Sequence, residues 1–167
     1  YPSYNVMAEV DVEDHFILKL VDGLGTLEAD GTTLNAGSGV LLSRLSSFAM
    51  DKGLTGLEFA HGIPGSVGGA VTMNAGAYDS DMSTLVREVR CLTAEGELQA
   101  LSAQDLDFSY RHSAFSDGGR LILGATLELR PGSEGDIRAL MEDFGNRRRH
   151  KQPLAGSPST LPKFPLG

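Results

Sequence analysis

The residues best suited to do chemistry lie in three separate stretches, and the longest is rich in glycine. Within residues 62–78, five glycines remove side chains from a short length of chain: Gly62, Gly65, Gly68, Gly69 and Gly76. Since glycine permits positive φ and lets a second backbone or a flat ligand approach closely, this stretch predicts a wall of main-chain atoms. Ser66 could cap a helix there, and free N–H groups beside it could bind an anion.

A structural turn followed by a buried helix of small residues is the alternative for the same stretch. Pro64 suits the first turn of a helix, and Ile63, Val67, Ala70 and Met73 recur at helical spacing on one face. The pattern GxxxxGK[ST] is missing, and no GxGxxG follows a strand and opens a helix, which argues against a P-loop and a Rossmann dinucleotide site. The residues alone therefore leave a ligand wall and a structural turn open.

The second stretch is Tyr110-Arg111-His112-Ser113. Arg111 could bind a carboxylate through both arms of its guanidinium group, which stays charged. The alternative is an arginine held in a salt bridge at the surface or at the edge of the core. We expect Tyr110 to pack or to position a ligand, and His112 to be a polar residue with satisfied hydrogen bonds.

The third stretch is a run of cations, residues 147–151 (RRRHK), at the end of a predicted helix. Cations there oppose the negative end of the helix dipole on a solvated face, and we favour this interpretation for most of them. The functional alternative is that one of them reaches a phosphate group.

The elements that must position these stretches are mixed strands and helices, so the predicted fold class is α+β. Residues 121–129 form a predicted strand, ended by Arg130-Pro131-Gly132, and residues 85–93 and 97–101 form a hairpin around Ala94-Glu95-Gly96. Strands are also predicted at 16–21 and 32–36, with turns at Asp22-Gly23 and Asp30-Gly31. A helix is predicted over 40–52, capped by Ser38 and stopped by Gly53, and a helical turn at 102–106. A last helix is predicted to start from a capping box at 133–136, with one apolar face formed by Ile137, Leu140, Met141 and Phe144.

Composition excludes several classes of function. The chain has 167 residues and a net charge of −8, which favours one domain and argues against a nucleic-acid surface. Cys91 is the only cysteine, so no internal disulfide forms, as in a reducing cytosol. No apolar run approaches a membrane span and no signal peptide is visible, so no membrane partner is expected. We predict no metal site.

Three ordered motifs resemble those of the UDP-N-acetylenolpyruvoylglucosamine reductase (MurB) family of peptidoglycan synthesis. They are GIPGSVGGA with MNAGAY in residues 62–78, FSYRHS in residues 108–113, and RRRHKQPL in residues 147–154. The resemblance covers about residues 17–154. It implies an FAD-binding fold of the PCMH/VAO type, a mixed sheet with flanking helices, without the family's small N-terminal lobe and C-terminal substrate lobe. The expected organisation is an irregular segment at 1–16, an FAD-binding domain at 17–152, and an irregular tail at 153–167 that starts the substrate region.

The resemblance also implies a reaction. A member of this family uses FAD and NADPH to reduce the enolpyruvyl group of UDP-N-acetylglucosamine enolpyruvate, a UDP-sugar, to UDP-N-acetylmuramate. Arg111 matches the family's catalytic arginine and, with Tyr110, would bind the substrate. The residues expected to line the flavin, mostly through their backbone, are Gly62, Ile63, Pro64, Gly65, Ser66, Gly69, Asn74, Ala75, Gly76 and Ala77.

The proton donor of the family falls in the tail, where the match is partial. Ala155-Gly156-Ser157 fits the first half of the family motif, which makes Ser157 the candidate donor, with Ser159 as the competing alignment. The family's Gly-Gly-Gly-Ser-Asn-like turn and catalytic glutamate are not found, so we expect an incomplete chain. We expect a monomeric, cytoplasmic protein. The alternatives are another FAD-dependent oxidase of the same fold, and a non-catalytic module that kept the fold without the cofactor.

Overall fold

One antiparallel sheet forms the centre of the computed structural model, which describes residues 24–151. Its five strands follow the order β1-β2-β8-β6-β7. The strands are β1 (Leu27–Asp30), β2 (Thr33–Gly37), β3 (Leu54–Thr55), β4 (Gly76–Ala77), β5 (Ser80–Asp81), β6 (Val86–Thr93), β7 (Leu98–Ser102), β8 (Arg120–Glu128) and β9 (Arg130–Pro131), and the helices are α1 (Leu42–Asp51), α2 (Val67–Thr72) and α3 (Glu134–Lys151). This mixture confirms the α+β fold class.

The central strand β8 joins the β1–β2 hairpin to the β6–β7 hairpin. It pairs with β2 from Thr33 opposite Glu128 to Gly37 opposite Gly124. On its other side it pairs with β6, with two shifts in register. Gly124 permits the close approach of β2, because a Cβ there would lie 2.8 Å from the carbonyl oxygen of Ala36.

One predicted turn and one predicted hairpin are confirmed. The turn predicted at Asp30-Gly31 joins β1 to β2, with Asp30 paired to Thr33 and Gly31 at a positive φ of 57°. β6 and β7 are joined at Ala94-Glu95-Gly96, with Gly96 at a φ of 83°. Glycine adopts this left-handed conformation without a steric cost, which fixes where each chain reversal occurs. The short helical turn expected at 102–106 is a 3-10 turn at Ala103–Asp105.

Helix α1 is confirmed, but its predicted cap is wrong. It spans Leu42–Asp51, its N-cap residue is Leu41, and no side chain caps it. Ser38 instead continues the main-chain pairing of β2, since its N–H donates to the carbonyl oxygen of Leu123 at 2.9 Å. The predicted stop is confirmed, with Gly53 at a φ of 66°.

Strand β8 ends at Glu128, and the predicted break at Arg130-Pro131-Gly132 is a second short strand. This strand, β9, pairs with β3, which follows α1. The N–H of Gly132 donates to the carbonyl oxygen of Gly53 at 2.8 Å, which extends the contact. The segment thereby joins the start of α3 to the end of α1.

Helix α3 begins at Glu134, where the sequence predicts a helix start, and packs on α1 and on the 3-10 turn Glu58–Ala60. Ile137 and Met141 are buried and Phe144 is half-buried, as expected. Leu140 is 40 % exposed, so the predicted apolar face is too wide. The contact follows the i, i+4, i+7 positions, and Leu140 lies beside that row.

The core lies between one face of the sheet and the two short helices α1 and α2. Strands β2, β6 and β8 contribute Leu34, Val89 and Leu127, and α1 contributes Leu42 and Leu45, all at most 1 % exposed. Cys91 is fully buried in this core. Among residues 24–151, no helix combines the length and apolar character needed to cross a membrane. The predicted strand at 16–21 and the irregular segments at 1–16 and 153–167 lie outside the described residues.

Candidate active site

An open cleft of about 440 Å³ brings the second motif beside the end of the glycine-rich stretch. It unites five of the predicted site residues from two distant parts of the chain. Its lining consists of Asn74, Gly76, Ala77, Asp79, Ser80, Asp81, Tyr110 and Arg111. Residues 62–66 and Gly69 do not line it, and Ser157 lies outside the described residues.

Asn74 holds the two sides of the cleft together through its side-chain amide. Its Nδ2 donates to the carbonyl oxygen of Ser109 at 3.0 Å and to Oδ2 of Asp81 at 3.3 Å, while its Oδ1 accepts from the N–H of Ser83 at 2.9 Å. The residue is 6 % exposed and has a φ of 39°, which asparagine tolerates better than most residues. The amide is therefore occupied by internal bonds, which leaves the main chain to meet a ligand.

A two-residue turn between β4 and β5 forms one wall of the cleft. Ala77 pairs with Ser80, so Tyr78 and Asp79 occupy the turn, with φ values of 54° and 61°. Positive φ at both positions is typical of a type I′ turn, which usually contains asparagine and glycine. Two ordinary residues in this conformation store strain of order 1–3 kcal/mol each, a feature that clusters at functional sites.

Arg111 lies at the tip of another tight turn, on the opposite side of the cleft. Ser109 and His112 exchange main-chain hydrogen bonds of 3.1 and 3.3 Å, which leaves Tyr110 and Arg111 as the turn residues. Arg111 has a φ of 56°, and its guanidinium carbon lies 5.8 Å from the centre of the Tyr110 ring. Within residues 24–151 no carboxylate forms a salt bridge with Arg111. Its charge is thus presented to the cleft and to solvent.

The Arg111 turn is tied to the glycine-rich stretch by serines that sequence reasoning missed. Ser113 is fully buried, and its Oγ donates to the carbonyl oxygen of Thr72 at 2.8 Å, at the end of α2. Ser116 donates to the same carbonyl oxygen at 3.2 Å. A serine inside a motif carries no sign of this role, because the partner lies about 40 residues earlier in the chain. The Nε2 atom of His112 lies 3.7 Å from Oδ2 of Asp107, which gives the imidazole a polar partner.

The glycine-rich stretch contains a helix shorter than expected. Helix α2 starts at Val67, three residues after Pro64, so Pro64 does not lie in its first turn. Ser66 is the predicted N-cap residue, and its Oγ accepts from the N–H of Gly69 at 3.5 Å. Met73 is 47 % exposed, because the helix ends at Thr72 and the predicted fourth position falls beyond it.

Gly65, just before this helix, and Gly69, within it, leave main-chain atoms uncovered by side chains on its outer side. A Cβ at Gly65 would meet nothing within 4 Å, and one at Gly69 would meet only Oγ of Ser66 at 3.8 Å. Within the described residues, no acceptor takes the N–H of Gly65 or Ser66. By contrast, Gly68 faces inward, where its Cβ would lie 3.0 Å from that of Ser38. The outer glycines therefore leave room for a flat or anionic group, whereas the inner one serves packing.

Two contacts from α3 reach the glycine-rich stretch, one of them at a predicted cofactor-binding residue, Gly62. Arg148 donates to the carbonyl oxygen of Gly62 through Nη1. One turn earlier, the ring of Phe144 stacks on Tyr78. Other members of the basic run are paired locally, since Arg147 forms an ion pair with Asp143 at 2.8 Å and Arg149 donates to Asn146.

The charges of the cleft limit what it can bind. Asp79 and Asp81 lie on one wall and Arg111 on the other. Asp81 accepts from Ser83 at 2.6 Å through Oδ1 and from Asn74 through Oδ2, so it is part of the frame. A carboxylate ligand has its favourable position at Arg111, at the tip of its turn. Among residues 24–151, no group of three or more histidine, cysteine, aspartate or glutamate side chains could hold a metal ion.

Comparison with known proteins identifies the family. The model of the FAD binding domain family matches residues 3–102. The chain belongs to the FAD binding domain family. The matched residues include the glycine-rich stretch and end before Arg111. In this FAD binding domain, the bare main chain at Gly65 and Gly69 fits a flat cofactor that approaches without meeting side chains.

Curated relatives extend the similarity past the family match. The chain is 42 % identical over 138 residues to the UDP-N-acetylenolpyruvoylglucosamine reductase of Limosilactobacillus fermentum, which covers 83 % of the chain and 46 % of the relative. It is 42 % identical over 153 residues to the reductase of Clostridioides difficile, which covers 90 % and 50 %. The chain therefore spans about half the length of these relatives.

A solved structure has the same fold. The crystal structure of UDP-N-acetylenolpyruvylglucosamine reductase (MurB) from Thermus caldophilus is similar with a TM-score of 0.72 at 32 % identity, and the match covers 81 % of this chain and 48 % of that chain. The mixed fold with its antiparallel sheet is therefore that of the FAD-binding region, as the sequence motifs imply.

Proposed function

We propose that this chain is the FAD-binding part of a UDP-N-acetylenolpyruvoylglucosamine reductase, which reduces the enolpyruvyl group of a UDP-sugar with FAD and NADPH in peptidoglycan precursor synthesis. The observation that carries the proposal is the cleft, where Arg111 faces Asn74, Gly76 and Ala77 at the end of the glycine-rich stretch. Similarity to reductases of that name, over 83 % of the chain in one relative, supports the substrate.

Two groups of residues would hold the cofactor, mostly through main-chain atoms. The first is the exposed glycine face at Gly62, Ile63, Pro64, Gly65, Ser66 and Gly69, and the second is the cleft wall at Asn74, Ala75, Gly76 and Ala77. Ala75 is 6 % exposed and contributes to the core, so only its main chain is available. Bound FAD would supply hydride transfer from NADPH to the substrate double bond.

Arg111 would hold the substrate carboxylate. Its planar guanidinium matches both oxygens of a carboxylate, and the negative charge that develops there during reduction is stabilised by a cation already in place. Tyr110, which is 90 % exposed beside it, would contact the substrate. Ser157 would donate the proton to the double-bond carbon next to the carboxylate, which does not receive the hydride, with Ser159 as the alternative donor.

We also propose that the protein acts as a monomer in the cytoplasm. Its single cysteine, Cys91, is fully buried, and burial raises the pKa of the thiol above its usual value. Such a thiol has little tendency to form an intermolecular disulfide, and a chain with no disulfide suits a reducing compartment.

The first experiment is a titration of the purified protein with FAD, followed by desalting and a visible absorption spectrum. We expect a retained flavin band, and a rise in the free energy of unfolding of about 2.7 kcal/mol when FAD is present at 100 times its Kd. The same titration on a chain extended to the length of the relatives is the control for a site that needs further residues. The absence of a flavin band in both proteins would contradict the proposal.

A further inference from the structure

Tyr78 belongs to the cleft wall but points away from the cleft. The residues on either side of it, Ala77 and Asp79, line the cleft, whereas Tyr78 packs on α3. We propose that Tyr78 is a positioning residue: its stack on Phe144 holds the strained turn between β4 and β5 in the shape that receives the flavin. This inference rests on the proposed function of the cleft.

The turn needs an external restraint because its own residues disfavour it. Tyr78 and Asp79 both have positive φ, at 54° and 61°. Tyrosine in particular disfavours that conformation, whereas aspartate tolerates it better than most residues, and the two-residue β4–β5 ladder is too short to impose it alone. A strained backbone persists only where the surrounding structure over-determines it.

Phe144 supplies that restraint through two separate contacts. The rings of Tyr78 and Phe144 are 4.0 Å apart at their centres and 4° from parallel. The hydroxyl of Tyr78 also donates to the carbonyl oxygen of Phe144 at 2.9 Å. A ring fixed both by its face and by its hydroxyl anchors the Cβ of Tyr78 to α3, so the turn cannot change conformation without breaking one of these contacts.

Movement of the turn would change the cleft directly. Gly76, at the base of the turn, has no free space, since a Cβ there would lie 2.6 Å from the carbonyl oxygen of Ser80. The same helix reaches the other predicted flavin segment, because Arg148, four residues after Phe144, donates to the carbonyl oxygen of Gly62. Helix α3 thus fixes both segments relative to each other.

The test compares Tyr78→Leu, Tyr78→Phe and Phe144→Leu with Phe48→Leu as the matched control. Phe48 is a half-buried aromatic residue on α1 that contacts Lys52 and lies outside the cleft lining. The readouts are the Kd for FAD, the visible circular dichroism of bound FAD, and the melting temperature. The dichroism reports the geometry around the flavin, which a loss of stability alone does not alter.

We expect Tyr78→Leu to raise the Kd for FAD at least tenfold and to change the dichroism spectrum, while Tyr78→Phe, which keeps the ring stack, stays within threefold of wild type. Phe48→Leu should lower the melting temperature and leave the Kd within twofold. Should Tyr78→Leu fail to fold, Phe144→Leu takes its place with the same expected result, because it removes the ring stack and leaves both turn residues unchanged.

Wild-type Kd and dichroism in both Tyr78→Leu and Phe144→Leu, or in whichever of them folds, would overturn this inference and leave the proposed function standing. Failure of the wild-type chain and of its extended form to bind FAD would overturn the proposed function, and this inference with it. The two failures are therefore distinguished by the wild-type titration.

Discussion

At the scale of single residues, Arg111 combines an unpaired charge with an unfavourable backbone. Its φ of 56° is reached at the end of a tight turn, and no salt bridge within residues 24–151 holds its guanidinium group. A merely structural arginine has no need for this conformation, because a glycine or asparagine would form the turn at lower cost. The position therefore favours a role in which the charge itself meets a ligand.

Replacement of Arg111 separates its role in the reaction from its role in the turn. In a chain extended to the length of the relatives, Arg111→Lys should slow reduction of the UDP-sugar by about 10²–10³-fold, because a lysine loses the bidentate geometry. Reduction of FAD by NADPH should stay within twofold of wild type. Stopped-flow absorbance measures both half-reactions.

The matched control for Arg111 is Arg138→Lys, in an exposed pair with Glu134 at 2.6 Å on α3. It should leave both half-reactions unchanged. An equal loss in the two half-reactions of Arg111→Lys would show that the residue supports the fold or the flavin rather than the substrate.

Glu128, the last residue of β8, should make the free energy of unfolding depend on pH. Hydrogen bonds from Thr32 at 2.6 Å and Thr33 at 3.0 Å, with a smaller contribution from the charge of Arg87, hold its pKa below the usual 4.5. A carboxylate whose pKa is lowered by folding stabilises the native state above its unfolded pKa, and this stabilisation is lost as pH falls through the folded pKa.

Glu128→Gln should therefore be less stable than wild type at pH 7, and the difference should shrink as pH falls from 4.5. Urea unfolding at a series of pH values measures this difference in the free energy of unfolding. Glu95→Gln, in the exposed β6–β7 loop, is the control for the loss of a surface carboxylate that has no such hydrogen bonds. A difference that is constant between pH 7 and pH 3 would mean that the two threonines do not favour the charged form.

At the scale of elements, the glycines of the central stretch serve two separate purposes. Gly69 lies in α2 with an open outer face, whereas Gly76 lies in β4 against main-chain atoms of Ser80 and Asp81. Alanine in a helix is more favourable than glycine, but alanine against a fixed backbone forces the backbone to move. The two positions should therefore respond in opposite directions to the same substitution.

Gly69→Ala should raise the free energy of unfolding by about 0.5–1 kcal/mol and weaken FAD binding, because its methyl group fills the flavin face. Gly76→Ala should lower the free energy of unfolding by about 1–3 kcal/mol and weaken FAD binding through distortion of the turn. Thermal unfolding and FAD titration measure the two effects. Unchanged FAD affinity in Gly69→Ala would mean that the flavin does not lie on this face of α2.

At the scale of the whole molecule, the alternation of apolar and polar residues and the positions of glycine and proline were enough to predict most helices and strands. The hairpins at Gly31 and Gly96, the stop at Gly53 and the strand over 121–129 follow from residue types whose conformational preferences are strong and local. Ser38 shows the limit of this approach. It is a residue type that often caps helices, but its N–H continues the main-chain pairing just after β2, and its hydroxyl is buried without a partner among the described residues.

The site was predicted by motif and assembled only by tertiary contacts. Asn74, Gly76, Ala77, Tyr110 and Arg111 were named from the sequence, and the cleft brings them together. The stack of Tyr78 on Phe144 and the bond from Ser113 to Thr72 join residues 66 and 41 positions apart. No local pattern encodes such pairs, nor the positive φ of Tyr78 and Arg111, because these two residue types normally avoid it.

The pairing of β2 with β8 has a consequence for how the molecule is made. Thr33 and Glu128 lie 95 residues apart, so the sheet cannot close until β8 leaves the ribosome. At usual rates of synthesis, the β1–β2 hairpin waits roughly 5–20 s for its central neighbour. During that interval α1 and the glycine-rich stretch leave the ribosome before the sheet on which they pack has formed. Their apolar residues are then exposed and can bind chaperones. Such long-range pairing also predicts refolding in milliseconds to seconds rather than microseconds.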